Sequence, residues 1–134
     1  MSGKSDYLEL KLLDHVFGAT VFTTPATVYL ALFSVSPGDT GGGTELVGNG
    51  YARVAVTNNV TNWPNAAAGL KSNGAAFAFP VAITSNWAGA VAFGIFDAST
   101  AGNLLYWGLL TATLTILVGE TAQFNVGDIS ITED

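Results

Sequence analysis

The stretch Ala75-Ala76-Phe77-Ala78-Phe79-Pro80-Val81-Ala82-Ile83 decides the fold class. Successive side chains of a strand point to opposite faces, so Phe77, Phe79, Val81 and Ile83 share one side. Alanines and Pro80 fill the other. Pro80 has no N–H to give to a ladder, which predicts a strand at an edge. Ala90–Phe96 repeats the pattern with Val91, Phe93 and Ile95. Val28–Val35 differs, because Tyr29, Phe33 and Val35 oppose Val28, Leu30 and Leu32, so both faces are apolar. A strand apolar on both faces is buried on both.

Further strands are predicted over Tyr51–Thr57, Leu104–Leu110, Ala112–Leu117, Thr121–Val126 and Asp128–Thr132. Pro37–Gly50 reads as a loop with six glycines, Asn58–Gly74 as polar and irregular, and Asp97–Asn103 as a tight turn. Asp6–Phe17 is the one helical pattern, with Leu13, Val16 and Phe17 at i, i+3, i+4. Asp6 and Glu9 give it a capping-box-like start, and Gly18 fits its C′ position. At three turns or so it is too short to stand alone in water and must dock on something. No helical segment alternates with the strands, which excludes a parallel α/β sheet. The expectation is an all-β, antiparallel, jelly-roll-like β-sandwich with one short amino-terminal helix. Residues 1–24 form an arm and residues 25–134 the sandwich, within one globular domain.

Composition narrows the class of function. Of 134 residues, 49% are apolar and only 10% charged, where about 25% charged is ordinary. Disorder needs the opposite balance. A chain so poor in charge cannot dress its whole surface, which argues for association. The net charge of −6, with Lys4, Lys11, Arg53 and Lys71 scattered, argues against a nucleic-acid partner. Charges at Lys4, Asp6, Glu9, Lys11 and Asp14 are unlike a signal peptide. Leu104–Val118 is too short to span a bilayer, so no membrane partner is expected. Without cysteine there is no disulfide framework, thiolate zinc site or cysteine nucleophile.

Catalytic chemistry finds little footing. His15 is the single histidine and has no nucleophile-elbow motif near it. The carboxylates Asp6, Glu9, Asp14, Asp39, Glu45, Asp97, Glu120, Asp128, Glu133 and Asp134 show no spacing that selects a glycosidase pair. Asp39 and Glu45 share the glycine-rich loop without the ligand spacing of an EF-hand. Asn59-Val60-Thr61 is formally a sequon. Trp63, Trp87 and Trp107 with Tyr51 and Tyr106 suit core and interface filling more than a sugar-stacking platform. Trp63, set in a polar segment, is the aromatic expected to be exposed. No catalytic residue, cofactor or metal is expected.

Six motifs in order carry a resemblance: Leu12-Leu13-Asp14-His15-Val16-Phe17-Gly18, Val28-Tyr29-Leu30-Ala31-Leu32-Phe33, Gly43-Thr44-Glu45, Gly50-Tyr51-Ala52-Arg53-Val54-Ala55-Val56-Thr57, Phe93-Gly94-Ile95-Phe96-Asp97 and Gly102-Asn103-Leu104-Leu105-Tyr106-Trp107-Gly108. Together the chain resembles a family of small tailed-bacteriophage virion proteins, labelled tail-fibre-like, whose relatives sit on the tail or on the head as cement. The resemblance implies a non-enzymatic structural protein at the phage particle surface, associating with itself, as a trimer, and with major capsid or tail proteins. Capsid decoration is the first expectation, and a tail-fibre or tail-tip module that binds host glycans is the second. Leu10, Leu13, Phe17, Tyr51, Arg53, Trp63 and Trp107 are the expected interface residues. Residues 1–24 and the Pro37–Gly50 loop are expected to make the contacts between subunits or with the shell.

Overall fold

Strand β2 (Thr27–Val35) is buried on both faces, and the sandwich is built around it. A computed structural model describes residues 2–18 and 20–133. Val28, Leu30 and Leu32 enter the main core, while Ala31 and Phe33 enter a smaller cluster on the opposite face. The other elements are β1 (Ser2–Lys4), α1 (Asp6–Val16), β3 (Thr44–Glu45), β4 (Val54–Thr57), β5 (Leu70–Ser72), β6 (Phe77–Val81), β7 (Ala90–Phe96), β8 (Leu104–Leu114), β9 (Thr121–Phe124) and β10 (Ser130–Thr132).

The large layer is a six-stranded antiparallel sheet in the order β1-β8-β7-β2-β3, with β4 also paired to β2. The facing layer consists of two separate ribbons, β5 with β10 and β6 with β9, where one continuous sheet would complete a jelly roll. Phe77, Phe79, Phe124, Ile129 and Ile131 from the ribbons meet Leu30, Leu32, Phe93, Ile95 and Leu105 from the large sheet. Aromatic rings meet in the core: Phe93 on β7 meets Phe124 on β9 edge-on at 5.8 Å, and Tyr51 meets Trp87 edge-on at 5.3 Å.

Several elements depart from the sequence expectations for identifiable reasons. The alternation of β6 breaks at Pro80, where the register with β9 shifts between Ala78 and Val81. Phe77 and Phe79 are buried, whereas Val81 and Ile83 are exposed and Ala82 turns inward. The expected pair Leu104–Leu110 and Ala112–Leu117 is one strand as far as Leu114, since nothing at Thr111 forces a turn. A bulge against β7 absorbs the extra residues, with Ala92 opposite Leu109 but Ala90 opposite Leu114.

Short strands hidden in the loops were invisible to periodicity. β3 lies inside the Pro37–Gly50 loop and pairs with Phe33 and Val35. Gly43 makes that turn possible at φ +76°, where an added Cβ would collide with the Val35 carbonyl oxygen. β5 lies inside Asn58–Gly74 and β1 precedes the helix. β1 ties the described part of segment 1–24 to the sandwich, pairing Ser2, Gly3 and Lys4 with Gly108, Trp107 and Tyr106.

Asn73 holds the ribbon end in place. Its side-chain amide donates to Ala75 O and Asn125 O at 2.8 Å, and its oxygen accepts from Ile129 N at 2.9 Å. The residue is fully buried. Truncation strands three backbone groups, and each buried unsatisfied group costs about 1–3 kcal/mol. Asn73→Ala is therefore expected to lower stability by about 3 kcal/mol or more, read from the urea midpoint. A loss within error would show that water replaces the amide.

Candidate interaction surface

Helix α1 begins at Asp6, as expected, but Asp6 is not its cap. Ser5 is the cap: its side-chain oxygen accepts from Leu8 N at 3.2 Å and its hydroxyl donates to the Leu104 carbonyl. Glu9 stands one position too late for a capping box, although its charge and that of Asp6 suit the first turn. Gly18 follows the helix at φ +80°, as a C′ glycine does.

The two faces of α1 differ in what covers them. Leu8 and Leu12, four apart and so on one face, pack on the sandwich with Tyr7. The stripe Leu13, Val16 and Phe17, together with Leu10, points to solvent. Phe17 is 80% exposed and Val16 69%. The chain leaving the helix is drawn back by the Phe22 N–H, which donates to His15 Nδ1 at 3.1 Å. Exposed Val21 joins the same end of the molecule. A groove beside the stripe is lined by Lys4, Glu9, Leu12, Leu13, Val16 and Phe17. Thus Leu10, Leu13 and Phe17 of the expected interface set form one exposed apolar surface.

Of the remaining four, Trp63 and Trp107 are buried within the subunit, and Tyr51 and Arg53 are half-buried and bonded within it. Arg53 grips Glu45 through two bonds, at 2.8 and 2.7 Å, and donates to Ala98 O and Ala101 O at 2.8 and 2.9 Å. Its guanidinium lies 3.7 Å from the Phe96 ring centroid. The Tyr51 hydroxyl donates to Glu45 Oε1 at 2.9 Å and accepts from Leu32 N at 3.0 Å. Burial pushes the Tyr51 phenol well up; the Leu32 N–H works against this, and the Glu45 charge adds to it.

Trp107 is buried and donates to Asp39 Oδ1 at 2.9 Å. Trp63, expected to be exposed, is buried: the polar segment around it folds over so that its ring packs 5.4 Å from Phe77. Trp87 is buried as well, so the three tryptophans present no stacking platform. The two loop carboxylates considered for a metal, Asp39 and Glu45, are taken by Trp107 and by Arg53 with Tyr51. Asp97 binds Asn103 through both oxygens, closing the expected turn. Asp134 lies outside the described residues.

Sequence reasoning missed a cavity of about 400 Å3 beneath α1, walled by Leu8, Leu12, Val28, Trp63, Ile95 and Leu105 and reaching Lys71 and Glu133 at its polar side. Its lining comes from α1, β2, β5, β7, β8 and β10, so no local pattern could announce it. At its edge Glu133 pairs with Lys4 and accepts from the Tyr106 hydroxyl at 3.1 Å.

The family model described as podophage GP4 fiber I protein gp80 matches residues 3–132. No curated protein matches the chain.

Burial, and then the Glu133 carboxylate, push the Tyr106 phenol up to about 12. The folded state thus keeps a proton that the unfolded chain loses near pH 10. The resulting stability is complete below about pH 10 and falls as the pH climbs toward about 12. The urea midpoint should decline across that window, more steeply in the natural chain than in Tyr106→Phe. Equal slopes would refute the assignment.

Proposed function

We propose, from the premise that this chain belongs to the podophage GP4 fiber I protein gp80 family and is a structural protein of the phage particle, that it serves as a fibre subunit held in place by the outer face of α1. The observation that carries the reading is the exposed stripe Leu10, Leu13, Val16 and Phe17 on a helix whose other face is already docked. A solvent-facing run of this kind on a small domain marks an association site. Full burial of each Leu, Val or Phe side chain would supply about 1.5–3 kcal/mol, against the cost of association.

The mode of action is burial of surface without covalent chemistry. Self-association, as the expected trimer, and contact with other tail or capsid proteins both suit such a face, because closed symmetry hides apolar patches. The fibre description of the family favours a fibre subunit over a capsid-decorating one. A capsid-bridging role would use the same face, and copy number separates the two: agreement with capsid subunits would favour decoration. Glycan recognition at the tail has less support, since the three tryptophans are buried.

The double substitution Leu13→Asp, Phe17→Asp tests the reading. Both positions are exposed, so the fold should persist, with stability within about 0.5 kcal/mol per site. Incorporation into assembled particles should fall by roughly tenfold or more, the equivalent of about 1.4 kcal/mol of lost contact. Quantitative mass spectrometry of purified particles gives the number. Unchanged incorporation would overturn the role of α1.

A further inference from the structure

We infer that the cavity beneath α1 is a binding site for a medium-chain acyl carboxylate. The inference rests on the cavity alone and stands apart from the fibre reading. At about 400 Å3 the cavity falls within the range of small-molecule sites, about 300–1,000 Å3. Leu8, Leu12, Val28, Ile95 and Leu105 give it an aliphatic wall.

Two polar groups at this wall lack an answer. Trp63 lines the cavity, and its Nε1 is the buried side-chain donor without a hydrogen-bond partner among the described residues. Such a donor is costly unless something accepts from it. Lys71, half-buried on β5, also lines the cavity. Neither ion pair among the described residues uses it: Lys4 is taken by Glu133 and Arg53 by Glu45. The carboxylate on the same wall, Glu133, is occupied by Lys4 and the Tyr106 hydroxyl. That leaves Lys71 as the cation facing an incoming ligand.

These features select a chemistry. A pure hydrocarbon would fill the wall but leave both Lys71 and the Trp63 N–H unanswered. A sugar would strand its hydroxyls against aliphatic side chains. A cationic amphiphile would set like charge against Lys71. An acyl chain ending in a carboxylate fills the apolar volume, pairs its head with Lys71, and brings an oxygen within the cavity that Trp63 lines.

The experiment titrates the full chain with dodecanoate below its micelle concentration, reading heat and the indole N–H resonance of Trp63. Saturable binding at one molecule per chain is expected, with that resonance displaced. Dodecyltrimethylammonium should leave the resonance in place. Lys71→Glu should weaken dodecanoate binding by roughly tenfold or more. Ala66→Trp, at an exposed lining position, should abolish binding while the far-ultraviolet circular dichroism is unchanged. Absence of saturable binding, equal binding of the cationic amphiphile, or undiminished binding in the Lys71→Glu chain would each overturn the site. Loss of particle incorporation in the Leu13→Asp, Phe17→Asp chain with dodecanoate binding intact would leave the inference standing.

Discussion

The two-sided burial of β2 is the constraint on which the rest of the structure depends. A strand with Val28, Leu30 and Leu32 on one face and Ala31 and Phe33 on the other needs cover above and below. The ribbons cover the first face. Cover for the second comes from the chain between β2 and β4: Phe33 stacks on Phe96 at 6.1 Å, and Arg53 closes over Phe96 while bonded to Glu45. Loop and sheet are therefore one unit, and Gly43 and Gly50 allow the close approaches: a Cβ on Gly50 would meet the Val81 carbonyl oxygen at 2.8 Å.

With so few charges, several polar groups have specific uses. Arg53, one of four cations, satisfies two carboxylate oxygens and two carbonyls. A guanidinium suits this because its donors are fixed in a plane, which an ammonium cannot match. Asn73, Asp97 and Asp39 close turns and loops in the same manner. The ionic groups that remain are too sparse to cover the outside, and the exposed stripe of α1 follows from that shortage.

Helix α1 is the element proposed to link the fold to the particle. Ser5 and β1 fix its start against β8, and Leu8 and Leu12 fix its inner face. What is left outside is rigidly presented, so an association there loses little conformational entropy. The same docking leaves the cavity open beneath the helix, because Leu8 and Leu12 reach the wall without filling the space to β5 and β10.

Local pattern by itself determined the strand class, the two-faced character of β2, the single helix, the turn at Asp97 and the absence of cysteine or clustered histidine chemistry. Family kinship was legible too, through motifs spread from Leu12 to Gly108. These are properties of neighbouring residues, where a period of two or a glycine after a helix has direct physical meaning. Only the tertiary structure decided which stripe of α1 faces inward, because both Leu8–Leu12 and Leu13–Val16–Phe17 satisfy helical spacing. It alone buried Trp63, split the second layer into ribbons, and brought Arg53 to Ala98 and Trp107 to Asp39. Those outcomes depend on contacts between residues distant in the chain, and no local period encodes which distant partner will arrive.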